Sequence, residues 1–444
     1  MSLSSSDLEA LCETVLSFVS ADDAELSVSE GESLILRSAN NDLTTNGLLE
    51  QSTVHLSVNF GKRSASIRIT RADRASLREA VKRVEAMARL APEDPEFLPP
   101  VAPGAYSIPP TWSDATAAMT PGEALAKLRP VIEAARIAKV ESAGYFTRHR
   151  SHSAYANSRG GFVSERSTTV GFSLTARTAQ GRGSGWASLQ RTDCEALDLA
   201  PVGDRAIRKA LDSRNATARS AGHSTVVLEA AAARDLLELL SWGLDRREFD
   251  EGQSFLNGLI GKGGDPIGKA LFGDTATVLS DPMNPIAPCG SHSAGIPLVK
   301  TTWIEKGVLK MLPTGRFWAG KKGLPVVPGP GNLILPGEGK SLEELIAGVE
   351  DGVLVTRLWY LRLVQPQTLL YTGLTRDGTF AIRDGKVAGP VNNYRFNETP
   401  VNVLKHLVAS GEPERVLGSE SQMPMLVPPL VVKDFNLSSV SDAS

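Results

Sequence analysis

The chain is short of the residues that announce most catalytic and binding chemistries. It has six histidines and three cysteines in 444 residues. Its 47 Lys+Arg against 50 Asp+Glu leave a formal net charge of −3, so no cationic excess exists to neutralise phosphates and nucleic acid is not an expected partner. No apolar run approaches the roughly 20 residues that a membrane-spanning helix requires. The opening Met1-Ser-Leu-Ser-Ser-Ser-Asp7 lacks the basic and apolar regions of a secretory signal. Cys12, Cys194 and Cys289 are odd in number and far apart, which excludes a disulfide framework and a CxxC zinc knuckle and reads as three reduced thiols. Together these absences predict a soluble, cytoplasmic protein with no membrane partner.

The scarcity of histidine also limits metal chemistry. An HExxH site needs two histidines one helical turn apart, and no such pair occurs. His149 and His152 are the one close pair, but they fall in an expected strand, where an odd separation sends side chains to opposite faces. Cys289-Gly-Ser-His292 offers a thiol beside a base, within a loop rich in proline and glycine. Gly258-Leu-Ile-Gly-Lys-Gly-Gly264 and Gly329-Pro-Gly-Asn-Leu333 lack the spacing and the strand-to-helix setting of a phosphate loop, and read as turns or flaps.

What is present is a clear sequence of elements. A serine-capped amphipathic helix is expected over 5–19, then period-two alternation between Glu25 and Thr70 predicts an antiparallel meander. Asp73 opens a helix to Leu90. Residues 91–111 hold seven prolines and predict a strap. Thr120-Pro-Gly-Glu123 opens a helix expected to bend or break near Pro130. Strands over 144–156, 162–178 and 183–191 follow, the first two joined by Asn157-Ser-Arg-Gly160, then helices over 202–214 and 231–244 flanking a strand at 225–229. After Leu244 short strands predominate, at 352–363, 366–373, 378–383 and 387–391. The last two join through Arg383-Asp-Gly-Lys386, and helices start at Ser341 and span 400–409. The fold class expected is α+β in two domains: residues 1–220 with an antiparallel sheet and flanking helices, and residues 221–437 forming a curved, mostly antiparallel β domain. Residues 438–444 are expected to be a disordered tail.

The order of several segments resembles the TldD/PmbA peptidase family, also called modulators of DNA gyrase. The matching segments are Asn157-Ser-Arg-Gly160, Ser224-Thr-Val-Val-Leu-Glu229, Ser254-Phe-Leu, Leu279-Ser-Asp-Pro282, Gly295-Ile-Pro297, Trp303-Ile-Glu-Lys-Gly-Val-Leu-Lys310 and, most specific, Gly373 to Val391. The resemblance covers about residues 140–410, and the 23–90 meander suits the family's N-terminal domain. It implies two related chains around a cavity, one carrying zinc through a His-Glu-x-x-x-His helix and a later cysteine, the other without the motif. It also implies unfolded or short peptides as substrate.

At the motif position this chain reads Leu237-Glu-Leu-Leu-Ser-Trp242, and no cysteine follows residue 410. Glu238 aligns with the family's catalytic glutamate, but leucine cannot ligate zinc and an indole N–H only donates. Glu238 reads equally as an exposed helix residue, and Trp242 as a filler of a hydrophobic gap. The expected role is the metal-free subunit of a heteromeric peptidase, with zinc in an HExxxH-bearing partner, and with a homodimer as another assembly. The competing readings are a peptide-binding or scaffold protein without peptidase activity, and a stand-alone hydrolase using Cys289 and His292 or the His149/His152 pair.

Overall fold

A computed structural model describes residues 4–70, 73–179, 182–261, 263–419 and 421–441. The chain opens with helix α1 (Ser5–Leu16), started by a reciprocal cap in which Ser4 Oγ accepts from the Asp7 N–H and Asp7 accepts from the Ser4 N–H. Three antiparallel strands follow: β1 (Asp23–Ala39), β2 (Asp42–Phe60) and β3 (Arg63–Ile69). Asn40 and Asn41 join the first two with φ of 51° and 59°, the left-handed pair that matches the twist of a hairpin. Helix α2 (Arg74–Leu90) starts at Asp73 as expected and turns Leu77, Val81, Val84 and Ala88 inward.

After the proline-rich strap come α3 (Asp114–Ala118) and α4 (Pro121–Ile137). Helix α4 runs through Pro130 unbroken, because Pro130 lies on the exposed face while Leu128, Val131, Ile132 and Ala135 stay packed. Strands β4 (Val140–Asn157), β5 (Phe162–Thr178) and β6 (Ser184–Arg191) then join the first three in one antiparallel sheet of order β3-β2-β1-β4-β5-β6. Helix α5 (Ala200–Asp212) closes this half. Helices α1 and α2 cover one end of the sheet, α4 and α5 the other, each over its own apolar cluster.

The second half begins with β7 (Gly222–Leu228) and α6 (Ala230–Trp242). Strand β7 pairs in parallel with Asp351–Val355 and antiparallel with Leu430–Leu437, at the centre of a six-stranded sheet. A four-stranded antiparallel sheet and a short five-stranded one share its core, which also encloses α6. The fold is thus mixed α+β with mostly antiparallel sheets, as expected.

Several expectations are corrected. The strand expected over 352–363 is two strands, Asp351–Val355 and Leu358–Gln365, and the next one is preceded by a single 3-10 turn at Pro366–Thr368. The last helix stops at Lys405, and Leu407–Ser410 is a strand. The tail is not wholly free: Ser439–Ser441 pairs with Asn393–Arg395, filling the outer position of the four-stranded sheet, while 442–444 lie outside the described residues.

The strap carries no helix or strand but is held along its length. Glu96 forms two hydrogen bonds with Arg247, Pro99 O accepts from Arg316, Val101 O accepts from Asn157, and Tyr106 Oη donates to Gly295 O. It then rounds the free edge of β5, where the Thr168 N–H donates to Thr111 O and Thr111 Oγ1 donates to Arg166 O.

Candidate functional site

Helix α6 is where the family resemblance places a candidate catalytic residue, Glu238. Eleven of its thirteen residues are buried, which is how a helix that is apolar nearly all round must sit. Its first turn has no side-chain cap, because the Glu229 carboxylate at the cap position takes Lys209 Nζ at 2.6 Å instead. Lys209 also donates to Trp186 O, and its burial lowers its pKa against the opposing pull of Glu229.

One turn on, three charged side chains lie inside the protein. Arg234, Asp235 and Glu238 are each at most 2 % exposed. Arg234 Nη1 donates to Glu238 Oε2 at 2.8 Å and to Asp235 Oδ1 at 3.3 Å. Its Nη2 donates to the carbonyls of Ser421 and Met423 at 3.1 and 3.0 Å. Ser421 Oγ donates to the other oxygen of Glu238, and Ser419 gives both its N–H and its hydroxyl to Asp235. Gly418 is required here, since a Cβ on it would stand 1.5 Å from Arg234 Nη1. Burial raises the pKa of Asp235, opposed by the Ser419 hydroxyl and the Arg234 charge.

Glu238 is therefore not the exposed residue that the sequence allowed. Its carboxylate is taken by a guanidinium and a hydroxyl, the partners that a buried charge requires. Trp242 is also corrected: it is 55 % exposed at the end of α6 rather than filling a gap, while Leu237 packs in the core. The segment beyond residue 410 does reach this helix, but brings Ser419 and Ser421. A leucine in the core, an outward indole and a carboxylate held by arginine do not fit a zinc ion. Among the described residues no group of three or more His, Cys, Asp or Glu has a metal-binding arrangement.

The other sequence candidates do not assemble. Cys289 is buried, its Sγ faces Gly290 O, and burial with the nearby Glu165 and Asp281 carboxylates pushes the thiol up to about 12. His292 Nδ1 accepts the Gly295 N–H, and its ring packs on Tyr155 and Tyr106 at centroid distances of 5.4 and 6.0 Å. A thiol so poorly ionised, with its neighbouring imidazole otherwise engaged, is not an activated nucleophile. His149 bonds Ser33 Oγ at 3.0 Å from one face of β4, and the strand's alternation sends His152 to the other.

The two glycine-rich stretches sit beside short helices. Arg246–Asp250 and Phe255–Ile260 lie within the segment 245–264, and Arg316–Lys322 precedes the segment 323–338. Near them the edge strand Leu358–Gln365 exposes Trp359, Tyr360, Leu363 and Val364, and the Phe255–Ile260 helix, with Leu259 exposed, packs on the turn that follows this strand.

Sequence reasoning missed Arg234 and Asp235, although Arg234 and Glu238 stand at the i,i+4 spacing of a helical ion pair. It also missed a charged cavity on the N-terminal sheet, in which Glu32 bonds Arg148 at 2.5 Å and Arg150 at 2.7 Å. Its signal was the break in Leu26-Ser-Val-Ser-Glu-Gly-Glu-Ser-Leu34, where glutamates take two successive inward positions.

Comparisons with known proteins bear on both halves. Residues 114–214 match the model of the PmbA/TldA metallopeptidase central domain, and residues 221–439 that of the PmbA/TldA metallopeptidase C-terminal domain. Among solved structures, TldE from Thermococcus kodakarensis superposes with a TM-score of 0.83 at 18% identity, covering 96% of this chain and 99% of that one. A protein described as a modulator of DNA gyrase from Bacteroides thetaiotaomicron gives 0.83 at 20% identity, covering 98% of each chain. Another so described from Thermotoga maritima gives 0.81 at 18% identity, over 96% of this chain and 99% of its own. These likenesses concern the fold. Comparison with curated proteins gives no match.

Proposed function

Since the chain belongs to the TldD/PmbA family, we propose that it is the metal-free subunit of a heteromeric zinc metallopeptidase of the TldD/TldE type. In this reading it completes the proteolytic chamber of an HExxxH-bearing partner, and the complex processes unfolded or short peptides. The observation that carries the proposal is the chemistry of α6: Glu238 is satisfied by Arg234 and Ser421, and Leu237 and Trp242 flank it. Arg234 supplies, as a fixed guanidinium, the positive charge that a buried carboxylate needs, so the helix is stable without an ion.

A partner is supported by the exposed apolar groups of the Leu358–Gln365 edge and by Trp242 and Leu259. An edge strand with such side chains is a surface that proteins normally cover. The segments 245–264 and 323–338 border the partner's site in this reading, and deletions there that leave cleavage unchanged would remove them from it.

The test is zinc stoichiometry and peptide cleavage by this chain alone, and again after co-purification with an HExxxH-bearing relative. Zinc and cleavage are expected in the complex only. Stoichiometric zinc in the isolated chain would overturn the assignment of α6. A stable complex that binds peptides and never cleaves them would favour the scaffold reading.

A further inference from the structure

The helix-bearing face of the N-terminal sheet is apolar at both ends and charged between them. Leu26 and Val28 of β1 lie under α1 and α2, and Leu34 and Leu36 belong to the α4–α5 cluster. Between these pairs the alternation presents Glu30 and Glu32. Strand register extends them into two rows across the sheet. One row is Glu50, Glu32 and Arg150; the other is Ser52, Glu30, His152 and Arg166. The first runs from carboxylates on β2 and β1 to Arg150 on β4; the second runs from Ser52 on β2 through the Glu30 carboxylate on β1 to His152 on β4 and Arg166 on β5.

A cavity of about 970 Å³ lies over these rows, within the size range of sites that take small ligands. The strap supplies an aromatic wall, with the Arg166 guanidinium 4.6 Å from the ring centroid of Trp112. Ser291, 1 % exposed, also lines the cavity; its N–H donates to Glu165, and its hydroxyl has no partner among the described residues. The charge of Glu32 is already taken by Arg148 and Arg150. Glu50, at the β2 end of the first row, and Arg166, at the β5 end of the second, form no ion pair among the described residues.

We propose that this crevice binds short peptides with free termini, the α-ammonium at Glu50 and the α-carboxylate at Arg166. Strands lie about 4.8 Å apart, so the three steps from β2 to β5 span about 14 Å, and an extended chain covers that in about four residues at roughly 3.3 Å each. The charge order selects for both ends at once: a cation alone meets the bases, and an anion alone meets the carboxylates. The biological sense of the site rests on the peptidase reading, since short free-ended peptides are what a peptidase releases.

Isothermal titration of the full chain, without partner or zinc, tests this with tetra-alanine in free, N-acetylated, C-amidated and doubly blocked forms. Saturable binding of the free peptide is expected, weakened tenfold or more by either block. Glu50→Gln should remove the sensitivity to acetylation, and Arg166→Gln the sensitivity to amidation. Absence of saturable heat, equal affinities for the four forms, an effect of one block only, or variants that keep full discrimination would each overturn the proposal. No cleavage enters this measurement, so its failure leaves the subunit reading standing, and a complex that fails to cleave leaves the crevice standing.

Discussion

The two charged regions of the molecule solve opposite problems. At α6 the charges are sealed: Arg234, Asp235 and Glu238 are buried, Ser419 donates to Asp235 and Ser421 to Glu238. In the N-terminal crevice the charges line an open cavity, and Glu50 and Arg166 at its ends remain unsatisfied by ion pairs among the described residues. A sealed cluster stabilises a unique packing and has no capacity left for a ligand, whereas an open row of ordered charge keeps that capacity. In the function proposed above, α6 is thus a structural element of this chain.

The comparison breaks most visibly at Arg234. Arg234→Met leaves two buried carboxylates without their counter-charge and is expected to cost about 3–5 kcal/mol in chemical denaturation. A loss below about 1 kcal/mol would show that the cluster is hydrated rather than sealed.

A smaller effect is expected in the crevice. Burial alone would raise the Glu32 carboxyl, but hydrogen bonds and charges from Arg148 and Arg150 outweigh it and hold the pKa below the ordinary 4.5. A carboxylate depressed on folding contributes stability above its unfolded pKa and loses it as pH falls through the folded value. Thermal melts between pH 6 and about pH 3 should therefore show a steeper acid loss in the wild-type chain than in Glu32→Gln. The variant itself should be destabilised by ~1–3 kcal/mol at neutral pH.

Trp242→Ala sharpens the contrast between sealed and presented groups. Being more than half exposed, Trp242 should change the stability of the isolated chain by no more than about 0.5 kcal/mol, while its loss should weaken co-purification with the proposed HExxxH-bearing partner. Leu237→Ala, one turn earlier and in the core, should cost about 2–5 kcal/mol instead. The least effect belongs to Cys289→Ala, which should leave cleavage by the proposed complex unchanged. In the folded chain, iodoacetamide should not label Cys289 at pH 8, because the thiol is buried and un-ionised.

Local chemistry made much of the fold legible. Asp73, Thr120 with Glu123, and Ser341 with Glu344 start helices where their side chains cap them, and Asp384 with Gly385 turns a hairpin through positive φ. The failures came where tertiary contacts decide. Pro130 is tolerated because it faces solvent, and Ser439–Ser441 becomes a strand because an open edge is available to it. The position of α6 was readable, but its interior was not: no spacing rule shows that a loop almost two hundred residues later will cover Glu238. The crevice was half visible, as glutamates at inward positions, but its opposing cations belong to strands more than a hundred residues away and enter through register alone.

The strap has a mechanical consequence. Glu96, Pro99 and Tyr106 tie it to the second half, while Val101 and Thr111 tie it to the first, so it works as a lashing between two bodies already joined by the chain at 213–221. Any swivel of one half against the other must tear these bonds in series. A single protease cut between 91 and 111 should thus release this lashing and lower the melting temperature, while the direct contacts between the halves, Lys209 with Glu229 and Arg415 with Gln190, keep the melt a single transition.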